Sequence, residues 1–284
     1  ITIHIMIIWL ASYPKSGNTL LRSILATYFF SEDGIFNFNH LYKIGAFPYL
    51  NVFEKIGIDK TDREKIFKNY LLAQKTINKE KEQDIHFFKT HSCLFEHRDY
   101  SFTNLENTLG AIYIVRDPRN IVTSYAHHYQ LSNTETIDRM SDKNLFIKST
   151  KIHADTFLSS WNNNYLSWKK LKDRVLLIKY EDLVNNKKKT LMRVFDFLKK
   201  IGMKISVDIN KLEKIIKSTE FEKMQDIEKK SEFDEAVVDK KTGNKKPFFN
   251  LGPKNQWKEI LDIESKIKIE KLFKNEMQEL GYLL

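Results

Sequence analysis

The sequence predicts a three-layer α/β fold, a central and mostly parallel sheet flanked by helices, and three observations carry that expectation. Four β-rich runs are nearly continuous in hydrophobic residues, helical spacing follows each of them, and no repeat of 20 to 50 residues interrupts the alternation. Continuous apolar runs mark strands covered on both faces, the condition of strands in a parallel sheet.

The four expected strands are IHIMIIWLAS (3–12), IHFFKT (85–90), GAIYIVR (110–116) and RVLLIKY (174–180). Helical patterns cover 18–30, 61–80, 117–131, 155–172, 181–200, 208–217 and 255–281, the last with Ile260, Ile263, Ile267, Ile269 and Leu272 at near-helical spacing. Trp161 and Trp168, seven residues apart, share one helix face and read as core. The stretch 31–58 is aromatic without periodicity (Phe36, Phe38, Tyr42, Phe47, Tyr49, Phe53), which suits core packing before a pocket wall. Residues 229–250 mix charges with Gly243 and Pro247 and read as a mobile loop. Loops of that length in compact domains are often lids over a site, although plain disorder has the same signature. With 42% hydrophobic residues the chain can bury one large core, so a single domain over 1–284 is expected.

Lys and Arg number 47 against 37 Asp and Glu, a net charge of +10 that suits an anionic ligand and equally a lysine-rich surface. Charge alone decides little. The single cysteine, Cys93, excludes an intrachain disulfide framework and fits a reducing compartment, with the cytoplasm as default. The apolar run Ile5–Ala11 falls far short of the roughly 20 residues of a membrane span.

The stretch WLASYPKSGNT (9–19) runs from a strand into a loop holding Lys15, Ser16, Gly17, Asn18 and Thr19. Helix-start N–H groups are unpaired and carry partial positive charge, so a helix beginning near Asn18 offers an anion site. In the common nucleotide loop the lysine follows the glycine; here it precedes it. The later strands end in KTH, RDP and YED, and Asp117 and Asp182 cap helices as readily as they would hold magnesium. A metal-free phosphate site is favoured.

FFKTHS puts Lys89 and His91 on one side of an extended segment, because side chains alternate with period two. Arg116 ends the third strand and Ser124 lies about two turns into the following helix, a forked guanidinium and a hydroxyl suited to phosphate. Lys15, Lys89, His91 and Arg116 all fall at carboxyl ends of strands, where open α/β sheets bind ligands. NLGPKNQWKEIL adds a glycine turn entering a helix with Lys254 and Lys258. His127 and His128, one turn after Ser124, are placed either to touch an acceptor or to face solvent and read first as solvent-facing or packing residues, and Cys93 reads as a small filler, since nothing adjacent would activate its thiol.

In their order SYPKSGNT, KTH, VRDPRNIVTSY, YEDL and GPKNQWK make the chain resemble the cytosolic-type sulfotransferase family, over residues 9 to about 258. The resemblance implies a P-loop-related fold and transfer of a sulfuryl group from 3′-phosphoadenosine 5′-phosphosulfate (PAPS) to a hydroxyl or amine, without metal. It implies that Lys15, Ser16, Gly17, Asn18 and Thr19 hold the 5′-phosphosulfate and that Arg116 and Ser124 bind the 3′-phosphate. Lys89 and His91 match the family's lysine and general base, Tyr180, Ser218 and Phe221 the adenine pocket, and Gly252 and Lys254 the C-terminal motif. Leu20 stands where many members carry tryptophan, and Asn250 and Leu251 stand where two cations are expected, with Lys254 the residue placed to compensate. The implied partner is a small-molecule, glycan or lipid acceptor and not nucleic acid; no single compound is indicated. The alternatives are a magnesium-dependent P-loop kinase and a non-catalytic anion-binding protein with a decayed site.

Overall fold

Strand β1 (Ile7–Ser12) is buried along its whole length, and the sheet is built outward from it. The computed structural model describes residues 6–80, 86–97, 100–231, 233–239 and 241–284. Residues 3–5 and 85 of the first two expected strands lie outside that range. Strands β2 (Gly45–Ala46), β3 (His86–Thr90), β4 (Thr108–Val115) and β5 (Val175–Lys179) join β1 in one parallel sheet of order β2-β3-β1-β4-β5. All four expected runs are strands. The two-residue edge strand β2 is too short to leave a periodic signal.

The pleat sorts each central strand between two cores. Ile7, Trp9 and Ala11 join Ala111, Tyr113 and Val115 on one face, against Trp161 and Trp168. Ile8 and Leu10 join Ile112 and Ile114 on the other, against Leu21, Ile24 and Leu25 and against Leu191, Val194 and Phe195. Full burial of an aliphatic or aromatic side chain contributes about 1.5–3 kcal/mol, so this two-sided packing is the main support of the sheet. The one polar atom of Trp9 is satisfied, its Nε1–H donating to Thr108 Oγ1 at 2.8 Å.

Helix α1 (Asn18–Phe30) follows β1, α2 (Pro118–Tyr129) follows β4, and α3 (Trp161–Lys169) carries the two tryptophans. Expected helix boundaries change wherever local capping or pairing intervenes. The 155–172 pattern begins only at Trp161, because Thr156–Phe157 pairs with Phe146–Ile147 and Ser160 then caps the helix by accepting from Asn163 N. The 61–80 stretch is two helices, Arg63–Lys68 and Tyr70–Ile77, and 181–200 divides at Asn186 into Tyr180–Asn185 and Lys187–Lys200. The 255–281 pattern is three pieces, Trp257–Ile260, Ile263–Leu272 and Lys274–Glu279, with Asp262 capping the second. Of its isoleucines Ile269 is buried, whereas Ile263 is 63% exposed and Ile267 57% exposed.

The aromatic stretch divides between cores. Phe47 and Phe53 join the Trp9 side, while Phe36 and Phe38 form a third cluster with Leu41, Met224, Phe233 and Phe249. That cluster seats the 229–250 segment: Phe233 stacks on Phe38 with centroids 4.4 Å apart. A small hairpin, Val237–Val238 with Lys245–Lys246, follows. Among the described residues no helix is long and apolar enough to cross a membrane.

Candidate active site

Between β1 and α1 the chain turns through two left-handed residues, Lys15 (φ 64°) and Gly17 (φ 99°). A non-glycine residue held there costs on the order of 1–3 kcal/mol, so surrounding bonds must fix it. They do: Arg116 donates from Nη1 to Lys15 O at 2.9 Å, and Asn18 Nδ2 donates to Leu10 O at 2.8 Å and to Ser12 Oγ at 3.2 Å. At Gly17 a Cβ would lie 2.4 Å from Cδ2 of Tyr180, whose ring also supports the Arg116 guanidinium at 4.3 Å. Only glycine lets the loop and the tyrosine approach so closely.

No side chain caps α1, and the buried Ser16 Oγ and Arg116 Nε have no hydrogen-bond partner. Unpaired buried polar atoms are costly and uncommon, so their gathering beside an uncapped helix start fits a bound anion.

Lys89 and Thr90 close β3, and His91 follows. Its Nδ1 lies 2.8 Å from Ser12 O. A carbonyl oxygen only accepts, so Nδ1 carries the proton and Nε2 keeps its lone pair. Asn164 Nδ2 donates to His91 O at 2.9 Å and fixes the backbone. Burial first, then the Lys89 charge, lowers the imidazole to about 3, so it is neutral at ordinary pH. Burial also lowers the Lys15 ammonium to about 8 against the opposing pull of Glu235. Lys89 is lowered too, by burial, with Glu235 again opposing.

A cavity of about 770 Å³ brings these groups together. Lys15, Gly17, Asn18, Thr19, Lys89, His91, Arg116, Ser124, Tyr180, Phe221 and Gly252 all line it, as does Leu20. Gly252 is again a close approach, since a Cβ there would lie 2.2 Å from Cε2 of Phe221. Three expected residues are placed differently. Ser16 is buried in the turn and is not on the cavity wall. Ser218 accepts from Phe36 N at 3.1 Å and bonds to Ile215 O, and the wall position belongs to its neighbour Thr219. Lys254 is exposed and off the wall, which Asn250 and Leu251 do line. The turn before Trp257 is instead tied down by Asn255, which accepts from Thr123 Oγ1 at 2.7 Å and donates to Asn120 O.

Further groups join the site. His127 and His128 line the cavity and are not simply solvent-facing or packing residues. His128 sits edge-on to Tyr129 and Phe248, and burial lowers it to about 3. Its spacing of four from Ser124 was the available signal. Glu235 had none: its carboxylate accepts from Thr19 Oγ1 (2.8 Å), Arg22 Nη1 (2.7 Å) and Lys89 Nζ (2.8 Å). Burial alone would raise this acid, but Lys89 and Arg22 outweigh it and hold it well below the usual carboxylate range. The Cys93 thiol is buried and pushed up to about 12, consistent with a filler. Asp117 caps α2, accepting from Arg119 N, and pairs with the Arg119 guanidinium. Among the described residues no group of three His, Cys, Asp or Glu is placed to hold a metal.

A parallel sheet with a lysine-glycine loop at its carboxyl edge, and a neutral histidine just after the adjoining strand, defines an α/β protein whose strand-to-helix turn is shaped to receive an anion. Residues 7–281 match the sulfotransferase domain family, and the chain belongs to it. Sulfotransferase 1C2 of Homo sapiens is 25% identical over 177 residues, 61% of this chain and 56% of that protein. Sulfotransferase 1B1 of Canis lupus familiaris is 27% identical over 176 residues, again 61% and 56%. These alignments take in little more than half the length of either relative. The crystal structure of mouse sulfotransferase SULT7A1 complexed with PAP covers 96% of this chain and 84% of its own, with TM-score 0.61 and 20% identity, and so shares the fold.

Proposed function

We propose that the protein transfers a sulfuryl group from PAPS to the hydroxyl or amine of a small-molecule, glycan or lipid acceptor, with His91 as general base. One observation carries this reading: a single cavity gathers the Lys15 loop, the Arg116–Ser124 pair and the Lys89–His91 pair, which supplies two anion sites and a base. The loop from Lys15 to Thr19 would take the 5′-phosphosulfate, where Ser16 Oγ and the α1 amides need a partner. Arg116, with its unpaired Nε, and Ser124 would take the 3′-phosphate. Tyr180, Thr219 and Phe221 would flank the adenine.

The acceptor hydroxyl gives its proton to His91 Nε2 as its oxygen attacks sulfur. The bridging S–O bond breaks, and 3′-phosphoadenosine 5′-phosphate (PAP) leaves with the electron pair. Lys15 and Lys89 meet negative charge on the bridging and sulfuryl oxygens; fixed donors of this kind usually give the largest catalytic term. The low basicity of His91 owes part of its depression to Lys89 and Lys15. An anionic donor offsets both charges, so the imidazole gains basicity when the substrate is in place. A reducing, cytoplasmic setting belongs to the same reading.

Calorimetry with PAP against ADP tests the assignment: PAP should bind at least tenfold tighter, and equal affinities would overturn it. Turnover of PAPS with a panel of phenols, alcohols, amines and sugars should survive excess EDTA. Loss of activity on chelation would point to a magnesium-dependent phosphoryl transfer instead.

A further inference from the structure

Glu235 stands 216 residues from Thr19 in sequence, yet its Oε2 accepts from Thr19 Oγ1 at 2.8 Å. Its Oε1 accepts from Arg22 Nη1 at 2.7 Å and from Lys89 Nζ at 2.8 Å. A hydroxyl, a guanidinium and an ammonium converging on two anionic oxygens are the donors that a phosphoryl or sulfuryl group would use. Thr19 and Arg22 are three apart on α1 and so share a face, with Lys89 reaching in from β3. From the same segment Phe248 lies 4.0 Å beneath the Lys15 ammonium. The segment after Phe221–Lys230 therefore grips the very loop assigned to the sulfuryl donor.

We infer that Glu235 is a built-in competitor for the phosphosulfate subsite. The donor binds by displacing this carboxylate, which loosens the segment that carries Glu235 over the cavity and releases Arg22 to the incoming anion as an additional ligand. The inference rests on the PAPS reading above. Two anions cannot share one set of three donors, and Thr19 and Lys89 belong to both sets. Arg22 enforces an exchange: among the described residues its guanidinium has, apart from Glu235, only contacts of 3.4 Å to Leu41 O, and a buried guanidinium needs an anion beside it. The opposite role, a fixed carboxylate that positions Lys89 throughout the reaction, predicts effects of opposite sign.

The test uses the full chain carrying Glu235→Gln, which keeps the shape and removes the charge, with Glu235→Asp as a second variant that retains the charge on a shorter reach. Calorimetry with PAP and limited trypsin cleavage at Lys241, Lys245 and Lys246 are the two readouts. The inference expects PAP to bind at least fivefold tighter to Glu235→Gln, with hairpin cleavage several-fold faster than in the native chain and Glu235→Asp intermediate in both. Unchanged or weaker PAP binding by Glu235→Gln, or a fall in kcat at unchanged PAP affinity, overturns it in favour of Lys89 positioning. PAP bound by neither protein overturns the donor assignment and the competition with it, and faster cleavage then shows only that Glu235 anchors the segment.

Discussion

The turn from Lys15 to Thr19 and the segment from Phe233 to Gly252 meet over one cavity, yet opposite rules build them. The first is a short link between a fully buried strand and a 13-residue helix, and its conformation is held by bonds from Leu10, Ser12 and Arg116. The second has little regular structure, among its described residues a hairpin with two-residue strands, and is seated by Phe233 and Phe249 and by the reach of Glu235. A preorganised turn can present fixed donors; a segment held by a few side chains can trade them. On the proposed function, fixed donors belong to the N-terminal loop and adjustable access to the C-terminal segment.

The sharpest way to break it is His91→Ala. General-base catalysis is worth on the order of 10²–10⁴-fold, so kcat should fall by about 1,000-fold while PAP affinity stays within twofold. A near-normal rate in steady-state kinetics would remove His91 from the mechanism. Next, Lys15→Ala should cost on the order of 100-fold in turnover, the usual loss for one fixed donor. Gly17→Ala should raise the PAP dissociation constant about tenfold or more, because the new Cβ meets Tyr180 at 2.4 Å in a left-handed backbone. A normal isotherm for that variant would show the loop to be more pliable than its contacts require.

Smaller effects follow from titration. Lys15 is charged below about 8 and loses its proton above it, so PAP affinity should decline as pH rises through that value. Lys15→Arg should remove that limb from the profile. On the acid side, neutral His91 should give no inflection between pH 6 and 7, since burial has moved it to about 3. Smallest of all, Lys254→Ala should leave PAP affinity within twofold, because this lysine is exposed and off the cavity wall. A tenfold loss would restore it to the 3′-phosphate clamp.

The legible part of the site is the part written in neighbouring residues. Lys15 with Gly17 and Lys89 with His91 each sit within a few positions at a strand end, where the pleat and the helix start fix their direction. Arg116 and Ser124 follow the same logic across one strand-helix junction. Reading failed by one position at Ser218, because a helix end places neighbours on different sides: Ser218 turns to Phe36 N while Thr219 meets the cavity. It failed at Lys254 because the residue types of a turn do not say which way it faces. His128 was half legible, four residues beyond Ser124, yet a polar residue on a helix reads as solvent-facing until Tyr129 and Phe248 close around it.

By itself the sequence determined the parallel sheet, through apolar runs that only two-sided burial explains, and the turn from β1 into α1, through a lysine and a glycine between strand and helix. Both are local properties, set by pleat, helix start and left-handed backbone. Only the tertiary structure decided where the chain's distant charges meet. Arg22 carried no signal in the sequence and Glu235 lay in a loop of mixed charges, and their pairing leaves the first a buried ion and the second a half-buried one. A partner 213 residues away leaves no mark on the local pattern, since burial of charge depends on what folding brings together.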